Sequence, residues 1–253
     1  MTKKTWIIFS IICVVLIGGL IAISRQSKID VSDIDSTRPI GASDKNGNIG
    51  DHVFGNKDSK VILVEYGDYQ CPGCGSAYPV IKEVAEKYKE QIGFIFRNFP
   101  LTTIHPNALA AASTAEFAGK NGKFWEMHDQ LFSTQNSWKD LSGTDRTDYF
   151  VGLGTGLGLQ AEALRSGLSS PDIQKKIAFD QALGTKLGVT STPSFFIGDE
   201  NIGDKYFADG KLVDKSTAGA QLIWSNADAF EKLIIIPALQ ANGIDLPKDT
   251  TTK

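Results

Sequence analysis

The stretch "KVILVEYGDYQCPGCGSAYPVIKEVAEKYKE" (60–90) constrains the fold more than any other part of this 253-residue chain. A β-branched apolar run ends at Gly67 and reads as a buried strand. Val80, Val84, Ala85 and Tyr88 then recur at helical spacing, and Pro72 suits the first turn of that helix. Pro79 inside the pattern predicts a kink. "IGFIFRNFP" reads as a second strand, so the three segments make a βαβ unit. Cys71 and Cys74 stand where the first strand hands over to the helix.

The chain has three cysteines, and Cys13 lies in an apolar N-terminal run. Cys71 and Cys74 can therefore pair only with each other, and one chain cannot supply a four-cysteine zinc site. His52, His105 and His128 have no finger-like spacing to the pair. At the start of a helix, the sulfur of Cys71 meets free backbone N–H groups, which stabilise a thiolate. Cys74 lies almost one turn on, close enough to bond to Cys71 but more buried. That division gives an attacking and a resolving thiol, with exchange through a mixed disulfide. The alternative is a structural staple, but closing so small a loop removes little entropy from the unfolded chain. Glu65 is the one carboxylate in the apolar strand. If buried beneath the helix start, it would have a raised pKa and could exchange protons with Cys74 through water. The alternative is a Glu65 side chain turned to solvent.

"MTKKTWIIFSIICVVLIGGLIAISRQ" carries 18 uncharged residues from Trp6 to Ile23 after Lys3 and Lys4. This predicts a single N-terminal transmembrane helix over 6–23, with 1–5 cytoplasmic and the body on the extracytoplasmic side of the cytoplasmic membrane. A signal peptide removed by cleavage is the alternative. Residues 24–50 are polar and read as a linker. A formal charge of -3 gives no basic footprint for nucleic acid.

Further along, 105–119, "NGKFWEMHDQLFS", 145–166 and 171–187 read as helices. "GLGTGLGLQ" fits neither a phosphate loop nor a dinucleotide fingerprint, and reads as a loose helix end and a turn. "STPSFFIG" is a third short strand, followed by a turn region and a last helix, "NADAFEKLIIIPALQ". The pattern is one α/β domain interrupted by helices.

At "VILVEYGDYQCPGC" the chain resembles the thioredoxin superfamily. With "GLGLQAEALRSGL" and "GVTSTPSFFIG" it resembles the DsbA-like, membrane-anchored thiol–disulfide oxidoreductases of bacterial envelopes, from about His52 to Gln240. The resemblance implies an α/β thioredoxin-like fold (51–103 and 188–245) with an inserted helical domain (104–187). It implies that Cys71 is the exposed nucleophile, Cys74 the resolving cysteine and Glu65 the buried acid. Pro193 matches the family's cis-proline, with Thr192 before it, and both would face the cysteine pair and align substrate. Tyr69, Phe195 and Phe196 would form core or nearby groove. The dipeptide between the cysteines tunes the couple: where the best-known periplasmic oxidases often carry Pro-His, this chain has Pro72 and Gly73. That implies a less extreme thiolate and a less oxidising pair. The implied activity is disulfide formation in cysteine-containing exported proteins, without organic or metal cofactor. Electrons would leave through a partner such as a membrane quinone-linked oxidase. Reductase, isomerase and a non-catalytic binding module are the alternatives.

Overall fold

The computed structural model describes Trp6, Phe9, Ser10, Ile12, Cys13 and residues 29–247. The central sheet holds five strands: β1 (Val53–Gly55), β2 (Ile62–Gly67), β3 (Gly93–Asn98), β4 (Ser194–Ile197) and β5 (Glu200–Asn201), in the order β1-β3-β2-β4-β5. β2 and β3 run parallel, joined by helix α1 (Pro72–Lys87), as the βαβ reading requires. β4 lies antiparallel on the other side of β2, with Phe195 opposite Glu65 and Ser194 opposite Tyr66. Both β2 and β3 are buried along their whole length. That is why they read as continuous apolar runs rather than alternating ones. α1 continues through Pro79 and buries Cys74, Ala77, Ile81, Val84 and Ala85 against the sheet.

Between β3 and β4 come six helices: α2 (Ala108–Lys120), α3 (Phe124–Ser133), α4 (Gln135–Trp138), α5 (Gly143–Gly156), α6 (Ala161–Gly167) and α7 (Pro171–Lys186). The glycine-rich stretch is the end of α5 and a turn at Gly158, whose φ of 83° is left-handed. The region read as a turn after β4 contains a small sheet instead. β6 (Tyr206–Ala208) pairs with β7 (Lys211–Val213) and with β8 (Gln221–Leu222). The last helix is interrupted: α8 (Ala227–Phe230) passes through a π-turn (Glu231–Ile235) into α9 (Ile236–Ala241). Pro237, near the start of α9, has no N–H to offer a regular ladder, and a π-turn accommodates that loss.

The membrane anchor is corrected. No helix among the described residues is long and apolar enough to cross a membrane. The longest, α1 and α7, have 16 residues each, against the roughly 20 apolar residues a span needs, and both carry charges. Most of 6–23 lies outside the described residues, as do 1–5 and 24–28. The transmembrane helix, the membrane-anchored subtype, the membrane contact and the single-pass placement are therefore withdrawn.

Within the stretch read as a linker, Val31, Ser36, Asn46 and Ile49 are buried against the domain. A buried ionic network fixes the end of this stretch. Arg97 of β3 donates to Asp51 at 2.7 Å, to the Ser36 carbonyl at 2.7 Å and to the Arg38 carbonyl at 3.1 Å. Lys176 of α7 donates to Asp51 at 3.1 Å and to Asp180 at 2.6 Å.

Candidate active site

Cys71 is the N-cap of α1 and has an extended backbone, with Pro72 in the first turn. Cys71 keeps 7% of its surface and Cys74 none, so a bulky reactant reaches only the first sulfur. Both are free thiols. The Cys71 thiol is pulled down to about 5, chiefly by the hydrogen bond from the Cys74 thiol. The Thr192 hydroxyl and the backbone N–H groups of Cys74 and Gly73 add to this, against partial burial. Cys74 is held well above the ordinary thiol range by burial first, then by its contact with Cys71 and the charge of Glu65. Adjacent sulfurs thus differ sharply in readiness to ionise.

The Thr192–Pro193 bond is cis. The Thr192 carbonyl lies 3.3 Å from the Cys71 sulfur and accepts its S–H. The Thr192 hydroxyl is buried with no hydrogen-bond partner while Cys71 is a thiol. A hydroxyl so placed can turn its hydrogen to a thiolate. Gly73 fits this face closely: a Cβ there would stand 3.2 Å from Pro193 Cδ and 3.6 Å from the Cys71 sulfur. Helix start and cis-proline loop are therefore packed against each other at the dipeptide Pro72–Gly73.

Glu65 is 2% exposed, which removes the solvent-facing alternative. Burial, and secondarily the nearby Cys71 charge, push its carboxyl up to about 8. Tyr69, Phe195 and Phe196 are core residues.

Several residues near the pair were not singled out from sequence. The buried Asp68 carboxylate accepts from the backbone N–H of Gln70 at 2.8 Å, from that of Leu101 at 2.8 Å and from His105 Nδ1 at 2.7 Å. The Asp68 N–H points at the Cys74 sulfur at 3.5 Å, and its carbonyl accepts the Cys71 N–H at 3.0 Å. Gln135, at the start of α4, donates to the Tyr69 carbonyl at 2.7 Å and to the Cys71 carbonyl at 2.9 Å. Gln70 donates to the Lys139 carbonyl at 2.7 Å. The helical insert is thereby tied to the chain segment that carries Cys71. The other histidines are also engaged, His52 with Glu116 at 3.0 Å and His128 with the Tyr69 hydroxyl at 3.1 Å. Among the described residues no group of three or more His, Cys, Asp or Glu could hold a metal ion.

A family model described as thioredoxin matches residues 47–214. The chain belongs to the thioredoxin family. Its fold is similar to a thioredoxin-like oxidoreductase from Silicibacter pomeroyi, at 27% identity and TM-score 0.50 over 60% of this chain and 82% of that one. It is also similar to the thiol–disulfide exchange protein alpha-DsbA2 from Wolbachia pipientis, at 25% identity and TM-score 0.51 over 59% and 76%. Family, fold and cysteine pair together make this a DsbA-like thiol–disulfide oxidoreductase domain that works by cysteine exchange. Among curated proteins, the chain is 37% identical over 174 residues to the Na(+)/H(+) antiporter NhaA 1 of Salinispora arenicola. The match takes 68% of this chain but 26% of that protein, so the chain spans about a quarter of its curated relative. Antiport is that protein's activity and is not carried to this thioredoxin-family chain.

Proposed function

We propose that the protein forms disulfides in cysteine-containing proteins. In its oxidised form, Cys71 and Cys74 share a disulfide. A substrate thiolate attacks the Cys71 sulfur, the Cys71–Cys74 bond breaks, and its electron pair leaves on Cys74. A second substrate thiolate then attacks the substrate sulfur of the mixed disulfide. The substrate disulfide forms and Cys71 departs as a thiolate. Two electrons have moved from the substrate dithiol to the protein pair.

The observation that carries this reading is the asymmetry of the pair. A Cys71 thiolate held at about 5 is a good leaving group and stabilises the reduced form, which makes the disulfide oxidising. Cys74 leaves as a buried thiolate and readily takes up a proton, because burial holds its pKa well above the ordinary thiol range. At neutral pH a Glu65 carboxyl raised to about 8 is mostly protonated, as a donor to departing Cys74 must be. Pro72 and Gly73 set the sulfur's surroundings, and Thr192 with Pro193 aligns an extended substrate segment beside it. The test is oxidation of a reduced, unfolded substrate by equimolar oxidised protein. Cys71→Ser should abolish it, and retained oxidation by that variant would remove the mechanism.

A further inference from the structure

The exchange just described leaves an electron pair on a buried sulfur. Cys74 has no contact with solvent, so the charge it acquires must meet a donor that is already in place. Among the described residues one hydrogen-bond donor points at the Cys74 sulfur, the backbone N–H of Asp68 at 3.5 Å. Asp68 directly follows β2, and its main chain serves both cysteines. Its carbonyl accepts the Cys71 N–H at 3.0 Å, which closes a tight turn over 68–71. The Asp68 side chain braces that turn. Oδ1 accepts the Gln70 N–H at 2.8 Å, an Asx turn that would hold the local backbone by itself. Oδ2 reaches further, to the Leu101 N–H at 2.8 Å and to His105 Nδ1 at 2.7 Å. The 101–105 segment is closed on its own, since the N–H groups of Ile104 and His105 both donate to the Leu101 carbonyl, at 3.0 and 2.9 Å. Asp68 is thus held between its own turn and a second, separately closed loop. A buried carboxylate is costly unless its oxygens are bound, and here both are. The result is a backbone N–H with a fixed direction, aimed at the leaving sulfur.

We propose that the Asp68 N–H is the donor that meets the Cys74 thiolate as the disulfide opens, and that His105 is the positioning residue that keeps this N–H aimed. A substrate thiolate bonds to the Cys71 sulfur, the Cys71–Cys74 bond breaks, and its electron pair passes to Cys74. The N–H holds that charge until Cys74 takes up a proton. The donor acts on the opening step, where Cys74 bears charge, and not on the resting reduced form, where Cys74 is a thiol. His105 acts from the outer end of the brace, with 15% of its side chain exposed, and touches neither sulfur. The proposal rests on the reading that Cys74 is the leaving sulfur.

Two reactions of the full-length protein separate this role from a structural one. In the first, the oxidised protein is opened by an excess of a single-cysteine peptide, quenched with acid and read by mass, so that Cys74 must depart. In the second, the reduced protein is alkylated at Cys71 by iodoacetamide, and no sulfur leaves. A hydrogen bond to a charged group is worth tenfold or more, so His105→Leu, which removes the brace, should slow opening by ~10-fold. Alkylation, the Cys71 thiolate pKa and the reduction potential should stay at wild-type values. Asp68→Asn, which keeps an acceptor for only part of the set, should slow opening in the same selective way. His105→Asn, whose amide nitrogen can stand where Nδ1 stands, should recover most of the rate. Opening of His105→Leu and Asp68→Asn within about twofold of wild type would overturn the proposal. So would a loss of alkylation in step with opening, since that marks general damage to the cysteine site. Oxidation of a two-cysteine peptide by the wild-type protein tests the disulfide-forming reading separately, because single-thiol opening does not depend on it.

Discussion

Replacing Glu65 by Gln should change how the reduced protein's stability depends on pH. The folded-state pKa of Glu65 is raised from 4.5 to about 8, chiefly by burial. A carboxyl raised in this way supports folding fully below its unfolded pKa, and that support is lost as pH rises through the folded value. The window is therefore about pH 4.5 to 8. Within it the unfolded chain has released a proton that the native protein still holds. Wild type thus loses about 1.4 kcal/mol per pH unit relative to a glutamine variant that cannot titrate. From about pH 5 to about pH 7, the stability of Glu65→Gln relative to wild type should climb by about 2–3 kcal/mol. Asp180, raised to about 6 by burial, titrates in the same window but in both proteins, so it cancels from the difference. Urea unfolding of both reduced proteins across this pH range measures the quantity directly. A difference that stays flat with pH would mean that Glu65 ionises like a solvent-facing carboxylate, and the proton chemistry built on it would fall.

Cys74→Ala removes the main donor to the Cys71 sulfur. A hydrogen bond to a charged group is worth about 1.5–3 kcal/mol, so the Cys71 thiolate pKa should rise by about 1–2 units in an ultraviolet thiolate titration. The same variant should accumulate reductant-sensitive mixed disulfides with substrate, and these should vanish when Cys71 is also replaced. Gln135→Ala strips the Tyr69 carbonyl of its donor and leaves the Cys71 carbonyl with the Gly75 N–H alone, which should cost about 1–3 kcal/mol, with faster hydrogen exchange in residues 69–75. Asp51→Asn breaks the buried pairing with Arg97 and Lys176 and should lower stability by about 3–5 kcal/mol in chemical denaturation.

Much of this site was legible because its signals are local. Two cysteines flanked by a strand and a helix place the sulfurs, and a lone carboxylate in an apolar strand draws attention to Glu65 while leaving its burial open. Pro193 gained meaning only through resemblance, since nothing in the residues alone distinguishes a cis-proline from one that starts a strand. What stayed hidden depends on distant partners. Asp68 meets His105 across 37 residues, and Gln135 reaches the Cys71 carbonyl across 64. Nothing near any of these polar residues announces its partner. Nothing in the sequence marks Arg97 and Lys176 as buried partners of Asp51. The small sheet from β6 to β8 escaped because its strands have two or three residues each, too short for a period to show. The membrane anchor illustrates the opposite error, in which an apolar run was given a placement that no helix among the described residues supports.

The central claim is that Cys71 and Cys74 form a reactive couple rather than a passive bond, and their reduction potential tests it most directly. The protein is equilibrated with glutathione buffers of stepped ratio, quenched with acid, alkylated, and the reduced fraction read by mass. With Cys71 held as a thiolate at about 5, the reduced form is stabilised at neutral pH. The account expects a potential between about -120 and -230 mV, within reach of glutathione. A potential below about -300 mV, with the pair still oxidised in excess reduced glutathione, would identify a structural disulfide and contradict the account.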